Sequence, residues 1–151
     1  MPRRVDWIPE EEWATIVRNV PIVSVDLLVR TPDGVLLVER TNRPAKGEWF
    51  VPGGRVRKGE RLVEAVHRVA REELGVEVGI EGRLGAYEHL YDDADVDGAG
   101  GKHYLANGFL VHTDATKFDL DDQHGDARVF ETFPDGLHPY VRAYLESARI
   151  V

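Results

Sequence analysis

The segment from Gly53 to Gly75 combines a glycine pair with carboxylates at helical spacing. An amphipathic helix is predicted over residues 61–74, because its apolar side chains fall on one side at about 100° per residue. Continuing this stripe by four residues from Val69 reaches Glu73, so a carboxylate is predicted on the apolar face. Hard divalent cations such as Mg²⁺ prefer oxygen ligands, and a carboxylate facing a loop carbonyl such as that of Gly53 supplies them. The members of the apolar stripe are Leu62, Ala65, Val66, Val69 and Ala70.

The neighbouring charges of this helix are less specific. Glu72 lies about 100° from Glu73, where it either assists a metal or is solvated. Glu64, Arg68 and Glu72 follow one another at intervals of four, which favours an ion-pair ladder along the helix surface. For Glu73 the alternative is a helix-end side chain that bends into solvent, since Gly75 is the predicted helix stop.

Single polar residues elsewhere are further candidates. Asp26 interrupts the apolar run IVSVDLLV, and burying an unpaired carboxylate there costs roughly several kcal/mol; the alternative is the solvated side of an alternating strand. Arg40 ends a predicted strand and Arg55 follows the glycine pair, so both can reach one phosphate, although either alone is more often a surface residue. His124 lies in the polar segment DDQHGD, in the kind of loop that often carries catalytic groups.

Interleaved strands and helices must position these residues. Helices are predicted at 9–18, 61–74 and 137–150, and a polar, glycine-rich loop at 92–102 whose aspartates are expected to be solvated. The alternation of strands with helices favours a mixed sheet with helices on both faces. Strands are predicted at 21–30, 35–40, 48–54, 76–91, 103–113 and at the end of 117–130.

Composition narrows the classes of function. The 151 residues are 42% hydrophobic, which suits one folded domain. The absence of cysteine excludes disulfides, thiolate catalysis and cysteine-ligated zinc. A net charge of −8 argues against non-specific binding of nucleic acid or of an anionic membrane. Because no apolar run spans a bilayer and the N-terminus lacks an apolar signal region, a cytoplasmic protein is expected.

Basic residues are mostly arginine. Lysine accounts for four of the 19 basic residues, against 27 acids. An acidic, lysine-poor surface is typical of proteins from high-salt cytoplasms, and a genome that prefers arginine codons explains it equally well.

Residues 54–76 resemble the Nudix box. The residues that match this pattern at its spacing are Gly54, Glu60, Arg68, Glu72, Glu73, Gly75 and Val76, whereas Val69 stands where the box has a glutamate. The resemblance implies a single Nudix hydrolase domain over residues 1–151, with the α/β Nudix fold, a mixed β-sheet sandwiched between α-helices. It also implies Mg²⁺, for which Mn²⁺ can substitute, with Arg68 and Glu60 orienting the metal-binding carboxylates.

Further segments are similar to GDP-mannose mannosyl hydrolases, which also lack the glutamate at the position of Val69. This resemblance implies that a GDP-hexose, GDP-mannose or GDP-glucose, is hydrolysed to GDP and free sugar by water attack at the anomeric carbon. It further implies a homodimer. The similar segments are 21–29, 40–55, 88–93, 103–109 and 121–126.

The same resemblance implies roles for individual residues. Arg40 and Arg55 correspond to phosphate-contacting arginines, and Tyr104 to a tyrosine near the leaving group. Asp26 corresponds to an aspartate near the substrate or the base, and His124 to the general base. The implied metal ligands are Gly53, Glu73 and Gln123, with Glu72 added from the box.

Two departures keep alternatives open. This chain keeps Glu72, which the mannosyl hydrolases often lose, and its segment after Gly98 is shortened or shifted. A pyrophosphatase acting on a sugar nucleotide such as ADP-ribose is therefore the first alternative, with a nucleoside monophosphate and a sugar phosphate as products. The second is a non-catalytic domain that senses a nucleotide sugar, against which the retained box residues argue.

Overall fold

The computed structural model of the protein describes residues 8–120 and 124–151. Within these ranges the helices are α1 (Glu10–Asn19), α2 (Leu62–Val69) and α3 (Pro139–Ser147). The strands are β1 (Ile22–Thr31), β2 (Gly34–Arg40), β3 (Trp49–Phe50), β4 (Gly53–Arg55), β5 (Gly79–Tyr91), β6 (Lys102–His112) and β7 (His124–Phe130).

The strands form one mixed sheet with β1 at its centre. The order is β3-β2-β1-β6-β5, with β4 paired to β1 and β7 paired to β2. β1 runs parallel to β6 and antiparallel to β2 and β4. The middle of β1 therefore lies between β6 on one side and the glycine strand β4 on the other, and this places Asp26 opposite both Gly108 and Gly53.

Helices cover both faces of the sheet, as the sequence predicts. On one face α2 packs its buried residues Ala65, Val66 and Val69 against alternate side chains of β1 and β6. On the other face α3 packs Val141, Tyr144 and Leu145 against Leu28 and its neighbours. The prediction of an α/β/α sandwich is confirmed. Among the described residues, no helix is both long and apolar enough to cross a membrane.

The helix predicted over 61–74 differs from expectation in its last turn. The α-helix ends at Val69, and Ala70–Leu74 continue as a π-helical turn that Gly75 ends in the left-handed conformation, at φ 67°. The wider turn buries Ala70, Glu73 and Leu74 and leaves Arg71 exposed. π-Turns of this kind are frequent at functional sites.

The aspartates of the loop at 92–102 are exposed, as expected, whereas its apolar residues pack against the protein. Ala94, Val96 and Ala99 are buried against Val17 of α1 and Ile22 of β1. Small apolar residues alternate with the aspartates here, so one side of the segment packs while the other carries the charges. The loop and α1 together form the wall at one end of a large pocket.

Candidate active site

A pocket of about 390 Å³ opens where β1, the glycine strand β4 and the end of the α2 segment meet. This volume is in the range of small-molecule sites. It brings together side chains that lie far apart in the sequence. The predicted site residues that line it are Asp26, Arg40, Gly53, Arg55, Arg68, Glu72, Glu73 and Tyr104.

Glu73 faces the glycine strand, as the helical spacing predicts. Its side chain is 8% exposed, and Oε2 accepts a hydrogen bond from the backbone N–H of Gly53 at 3.3 Å. The glycines make this approach possible. A Cβ atom at Gly54 would lie 3.0 Å from Cγ2 of Val69, and one at Gly53 would overlap Oδ1 of Asp26.

Arg68 links the box carboxylates on the other side of the loop. Its Nε donates to Oε2 of Glu60 at 2.7 Å, and its Nη1 donates to Oε2 of Glu72 at 3.1 Å. Its Nη2 also donates to the carbonyl of Arg55 at 2.8 Å, which fixes the loop to the helix. Burial alone would raise the pKa of Glu60, but the bonds from Arg68 and Arg57 outweigh it and lower that pKa. Arg68 therefore connects Glu60, Glu72 and the loop, and the orienting role implied for Arg68 and Glu60 stays a prediction.

Of the two ion pairs predicted along the helix, the described contacts include Arg68–Glu72 and not Glu64–Arg68. Arg68 pairs with Glu72, which also accepts from Nη2 of Arg57 at 3.1 Å and 3.3 Å. Glu64 instead accepts from the backbone N–H of Arg61 at 2.8 Å, at the start of α2. An N-terminal carboxylate stabilises a helix through this bond and through the helix dipole.

Asp26 is buried rather than solvated. It is 9% exposed, and its Oδ2 accepts a hydrogen bond from the hydroxyl of Tyr144 on α3 at 2.7 Å. Burial raises the pKa of Asp26 to about 6, while the Tyr144 bond and the charge of Arg40 act in the opposite direction. A Cβ atom at Gly108 would lie 2.5 Å from the Tyr144 ring, so the glycine opposite Asp26 on β6 gives that ring its path to the carboxylate.

His89 lies beside Asp26, and these two side chains form what we call the pocket floor. The sequence alone assigned His89 no role. Its ring is buried, stacks on Tyr140 at 4.1 Å between centroids, and holds Nδ1 3.7 Å from Oδ2 of Asp26. Burial, with the charge of His138, lowers the pKa of His89 to about 4. His89 is therefore neutral at pH 7, and its buried Nε2 has no hydrogen-bond partner among the described residues.

The arginines expected at a phosphate are both on the pocket wall. Arg40 donates from Nε to the carbonyl of Pro44 at 2.8 Å, a neutral acceptor that leaves its positive charge uncompensated by that bond. Arg55 donates to the carbonyl of Val56 at 3.3 Å, and its guanidinium lies 5.9 Å from the ring centroid of Trp13. Tyr104 lines the same wall.

For two of the expected residues the structure gives no side-chain position. Gln123 falls outside the described residues. His124 begins β7, where its backbone is the register partner of Arg40 on β2, and its side chain is not described. The roles implied for these two residues stay predictions.

The oxygen donors present suit Mg²⁺. Among the described residues, no three or more His, Asp or Glu side chains form a group that holds a metal ion by itself. Mg²⁺ is commonly held by one or two carboxylates, with water and substrate phosphate completing its shell. The buried carboxylate of Glu73, the nearby Glu72 and the carbonyl of Gly53 provide such a partial set.

The sequence missed the residues at the other end of the pocket. Trp13 of α1, Asp95 of the loop and Lys102 of β6 all line it. The available signal was weak: Lys102 is one of four lysines and stands at the start of an apolar strand. Nothing in the spacing connects it with Trp13, which lies nearly ninety positions earlier in the chain.

Comparison with known proteins supports the family expected from the box. A model of the NUDIX domain matches residues 20–138. The chain is 56% identical over 140 residues to the low-salt glycan biosynthesis protein Agl8 of Haloferax volcanii, covering 93% of this chain and 90% of that protein. It is 32% identical over 111 residues to the ADP-ribose pyrophosphatase of Methanocaldococcus jannaschii, covering 74% of this chain and 62% of that one.

Solved structures share the fold. The MutT Nudix hydrolase of Burkholderia pseudomallei superposes with a TM-score of 0.66 at 27% identity, over 84% of this chain and 97% of that one. The Nudix domain of Shewanella oneidensis NrtR, solved with ADP-ribose, superposes with a TM-score of 0.66 at 20% identity, over 95% and 98% of the two chains. With the box residues gathered around one pocket, these matches show that the chain belongs to the Nudix hydrolase family.

Proposed function

We propose that this Nudix hydrolase cleaves a GDP-hexose, GDP-mannose or GDP-glucose, into GDP and free sugar, with water attacking the anomeric carbon. The observation that carries the proposal is Val69. This side chain is 1% exposed and packs beneath the glycine strand, at the box position where a glutamate is usual. The helix therefore offers Glu72 and Glu73 to the loop without the third carboxylate that attack at phosphorus commonly uses.

The pocket supplies what attack at carbon requires. The leaving group is a nucleoside diphosphate, which departs readily once its charge is neutralised. Arg40 and Arg55 line the wall where that charge develops, and Tyr104 lies on the same wall to donate a hydrogen bond to the leaving oxygen. Next to this wall, the ionised carboxylate of Asp26 can accept hydrogen bonds, and the neutral ring of His89 can donate or accept one. Both groups suit the hydroxyl groups of a hexose.

The metal would be held by Glu73 and the carbonyl of Gly53, with Gln123 and Glu72 as further ligands. When bound, Mg²⁺ neutralises phosphate charge and orients the diphosphate. Arg68 and Glu60 act behind these ligands, because their hydrogen bonds fix Glu72 and the loop that carries Arg55.

The general base in this proposal is His124. Histidine removes a proton from water efficiently near neutral pH. The pairing of its backbone with Arg40 supports the assignment, since it places the start of β7 beside a strand end that lines the pocket. The assignment otherwise rests on the resemblance to the mannosyl hydrolases.

A second candidate is hydrolysis at phosphorus, as in a pyrophosphatase acting on a sugar nucleotide such as ADP-ribose. Glu72 favours it, because the box keeps this carboxylate and two arginines orient it. The ADP-ribose pyrophosphatase among the similar proteins also favours it. This reaction would depend on Glu72 and Glu73 and have little need of His124.

The two reactions differ in where oxygen from water ends up. Turnover of GDP-mannose with Mg²⁺ in ¹⁸O-water, followed by mass spectrometry, should give labelled mannose and unlabelled GDP. Label in GMP or in mannose phosphate would mean attack at phosphorus, and the second candidate would replace the first. The acidic composition makes it advisable to run the assay at low and at molar KCl.

The base is tested by His124→Gln. We expect kcat to fall by about 10² to 10⁴ with a modest effect on KM, because proton removal contributes to the transition state and little to binding. His112→Gln is the matched control. His112 lies on β6, is half exposed, and holds Nδ1 3.4 Å from Oε1 of Glu81 on β5. The His112 variant should retain full activity. A His124 variant within twofold of the wild type would rule out this base.

A further inference from the structure

The pocket contains an ion pair that the proposed reaction does not use. Lys102 begins β6, is 6% exposed, and holds Nζ 2.7 Å from Oδ1 of Asp95. Oδ2 of Asp95 accepts from the indole N–H of Trp13 at 3.3 Å. Lys102 and Asp95 both line the pocket, at the end formed by α1 and the loop 92–101.

Stability alone does not account for a charged pair at this place. Lys102 is buried, whereas the side chain of Asp95 is 35% exposed. A partly solvated carboxylate only partly offsets the free energy of removing the ammonium from water, and apolar replacements of such groups are commonly as stable. The loop is already anchored by the buried side chains of Ala94, Val96 and Ala99. A polar ligand that bonds to the pair would give a charged pair on a pocket wall a function.

The charge balance argues against a phosphate as that ligand. The ammonium of Lys102 is compensated by Asp95, so the pair is neutral overall and attracts a diphosphate weakly. Arg40, whose guanidinium bonds to a neutral carbonyl, is better suited to an anion. The ligand group that suits the pair is neutral and carries hydrogen-bond donors beside an acceptor.

The surroundings favour a flat heterocycle for this group. Nζ of Lys102 lies 5.2 Å from the ring centroid of Trp13 and 4.9 Å from that of Tyr104, so aromatic surface borders the pair. Ile8 adds apolar surface at the same end. Arg55 lies beside Trp13, which connects this end of the pocket to the proposed phosphate position.

We propose that Asp95 and Lys102 recognise the Watson–Crick edge of guanine and so determine base selectivity. Guanine carries two adjacent donors, N1–H and the N2 amine, next to the acceptor O6. An ionised carboxylate has about four acceptor positions and an ammonium three donors, so both groups retain capacity after their mutual bond and the Trp13 bond. Adenine reverses the pattern, because its N1 lone pair would face the carboxylate and its N6 amine the ammonium.

This inference rests on the proposed function in taking a nucleotide as the ligand, but its test is independent of which bond is cleaved. Calorimetric titration of the Mg²⁺-loaded protein with GDP, IDP and ADP measures base selectivity without turnover. The wild type should bind GDP at least about tenfold more tightly than ADP, because a site built for hydrogen bonds rejects a base that lacks them. IDP, which lacks the N2 amine, should fall between the two.

Asp95→Asn should bring the GDP and ADP affinities to within about threefold, since an amide presents both a donor and an acceptor. Asp97→Asn is the matched control: the same loop loses the same charge, but Asp97 is exposed and pairs with Arg43 at 2.8 Å. Its selectivity should equal that of the wild type. The double variant Asp95→Asn/Lys102→Gln leaves no unpaired buried charge, and should lose selectivity in the same way if the single variant folds poorly.

Three results would overturn the inference. The first is equal binding of GDP and ADP by the wild type. The second is a loss of affinity in the Asp95 variant that is the same for both nucleotides, which would indicate a structural ion pair. The third is an unchanged GDP-to-ADP ratio combined with an altered preference between GDP-mannose and GDP-glucose, which would place the sugar here. Each can occur with either outcome of the ¹⁸O experiment, so the two proposals fail separately.

Discussion

At the scale of single residues, the two buried carboxylates of the pocket have different environments. Glu73 accepts a backbone N–H from the glycine strand and lines the pocket. Asp26 accepts a tyrosine hydroxyl and lies beside His89, and burial raises its pKa to about 6. The first carboxylate suits a metal, and the second suits a polar substrate group.

We predict that Glu73→Gln abolishes the metal-dependent rate while the protein still folds. The amide keeps the size of the side chain but removes the charge that a hard cation requires. Initial rates across a Mg²⁺ titration, together with a melting curve, provide the measurement. A variant that still responds to Mg²⁺ like the wild type would exclude Glu73 as a ligand.

We predict that Asp26→Asn raises the melting temperature at pH 7 and lowers activity. A carboxyl whose pKa is raised on folding destabilises the folded state once it ionises. The contribution of Asp26 to stability is therefore greatest below its unfolded-state pKa, near 4, and is lost as the pH rises through its folded-state pKa of about 6. The shift from 3.8 to about 6 corresponds to a gain on the order of 3 kcal/mol for the variant at neutral pH.

The gain should be mostly lost at pH 4, which is close to the unfolded pKa of 3.8, and should vanish at lower pH, where Asp26 is protonated in both states. His89 acts in the opposite direction, because its pKa is lowered to about 4 and its stabilising contribution is lost as pH falls below about 6.5. The variant should therefore lose stability more steeply in acid than the wild type. Melting curves between pH 4 and pH 8 in metal-free buffer test this, and a difference independent of pH would contradict it.

At the scale of elements, α3 contributes to the site through two tyrosines, Tyr144 and Tyr140. Tyr144 passes beside Gly108 to reach Asp26, which lies 118 residues earlier in the chain. Tyr140 of the same helix stacks on His89 and bonds to both backbone groups of Leu90. The position of α3 therefore controls the orientation of two side chains on the pocket floor.

We predict that Gly108→Ala destabilises the protein by about 1 to 3 kcal/mol and lowers activity, because the added methyl group displaces the Tyr144 ring. Gly82→Ala on the neighbouring strand β5 is the matched control, since its Cβ meets no atom within 4 Å. Urea unfolding and initial rates provide the comparison. Equal effects of the two substitutions would show that the path of Tyr144 is unimportant.

At the scale of the whole molecule, charge is unevenly balanced. The chain carries 27 acidic and 19 basic residues, and several basic residues are engaged in ion pairs around the box. The remaining acids repel one another. At 0.1 M salt the Debye length is about 10 Å, so repulsion between exposed charges farther apart than this is largely screened.

We predict that the melting temperature rises with KCl between about 0.1 and 2 M, mainly over the first few hundred millimolar, where screening changes most. Differential scanning fluorimetry in KCl, compared with an uncharged osmolyte at equal osmolality, separates screening from solvent exclusion. A melting temperature that responds equally to both would show that repulsion is a minor factor.

The sequence alone determined the chemistry that local spacing can encode. The helix period placed Glu73 on the buried face, the glycine pair marked the loop, and Gly75 marked the helix end, since each depends on residues within one or two turns. The alternation of strands and helices was sufficient for the layered fold. The widened last turn of the helix was missed, because a π-turn and an α-turn share the same short-range pattern.

Only the tertiary structure decided which distant residues meet. The partner of Asp26 lies 118 residues away and the indole that bonds Asp95 lies 82 residues away, on helices whose docking depends on the whole core. The apolar side of the loop 92–101 was hidden among aspartates, so its packing against α1, and with it the Asp95–Lys102 pair, had no local signal. Periodicity reports contacts along one element, whereas a pocket is assembled from side chains that the packing of several elements brings together.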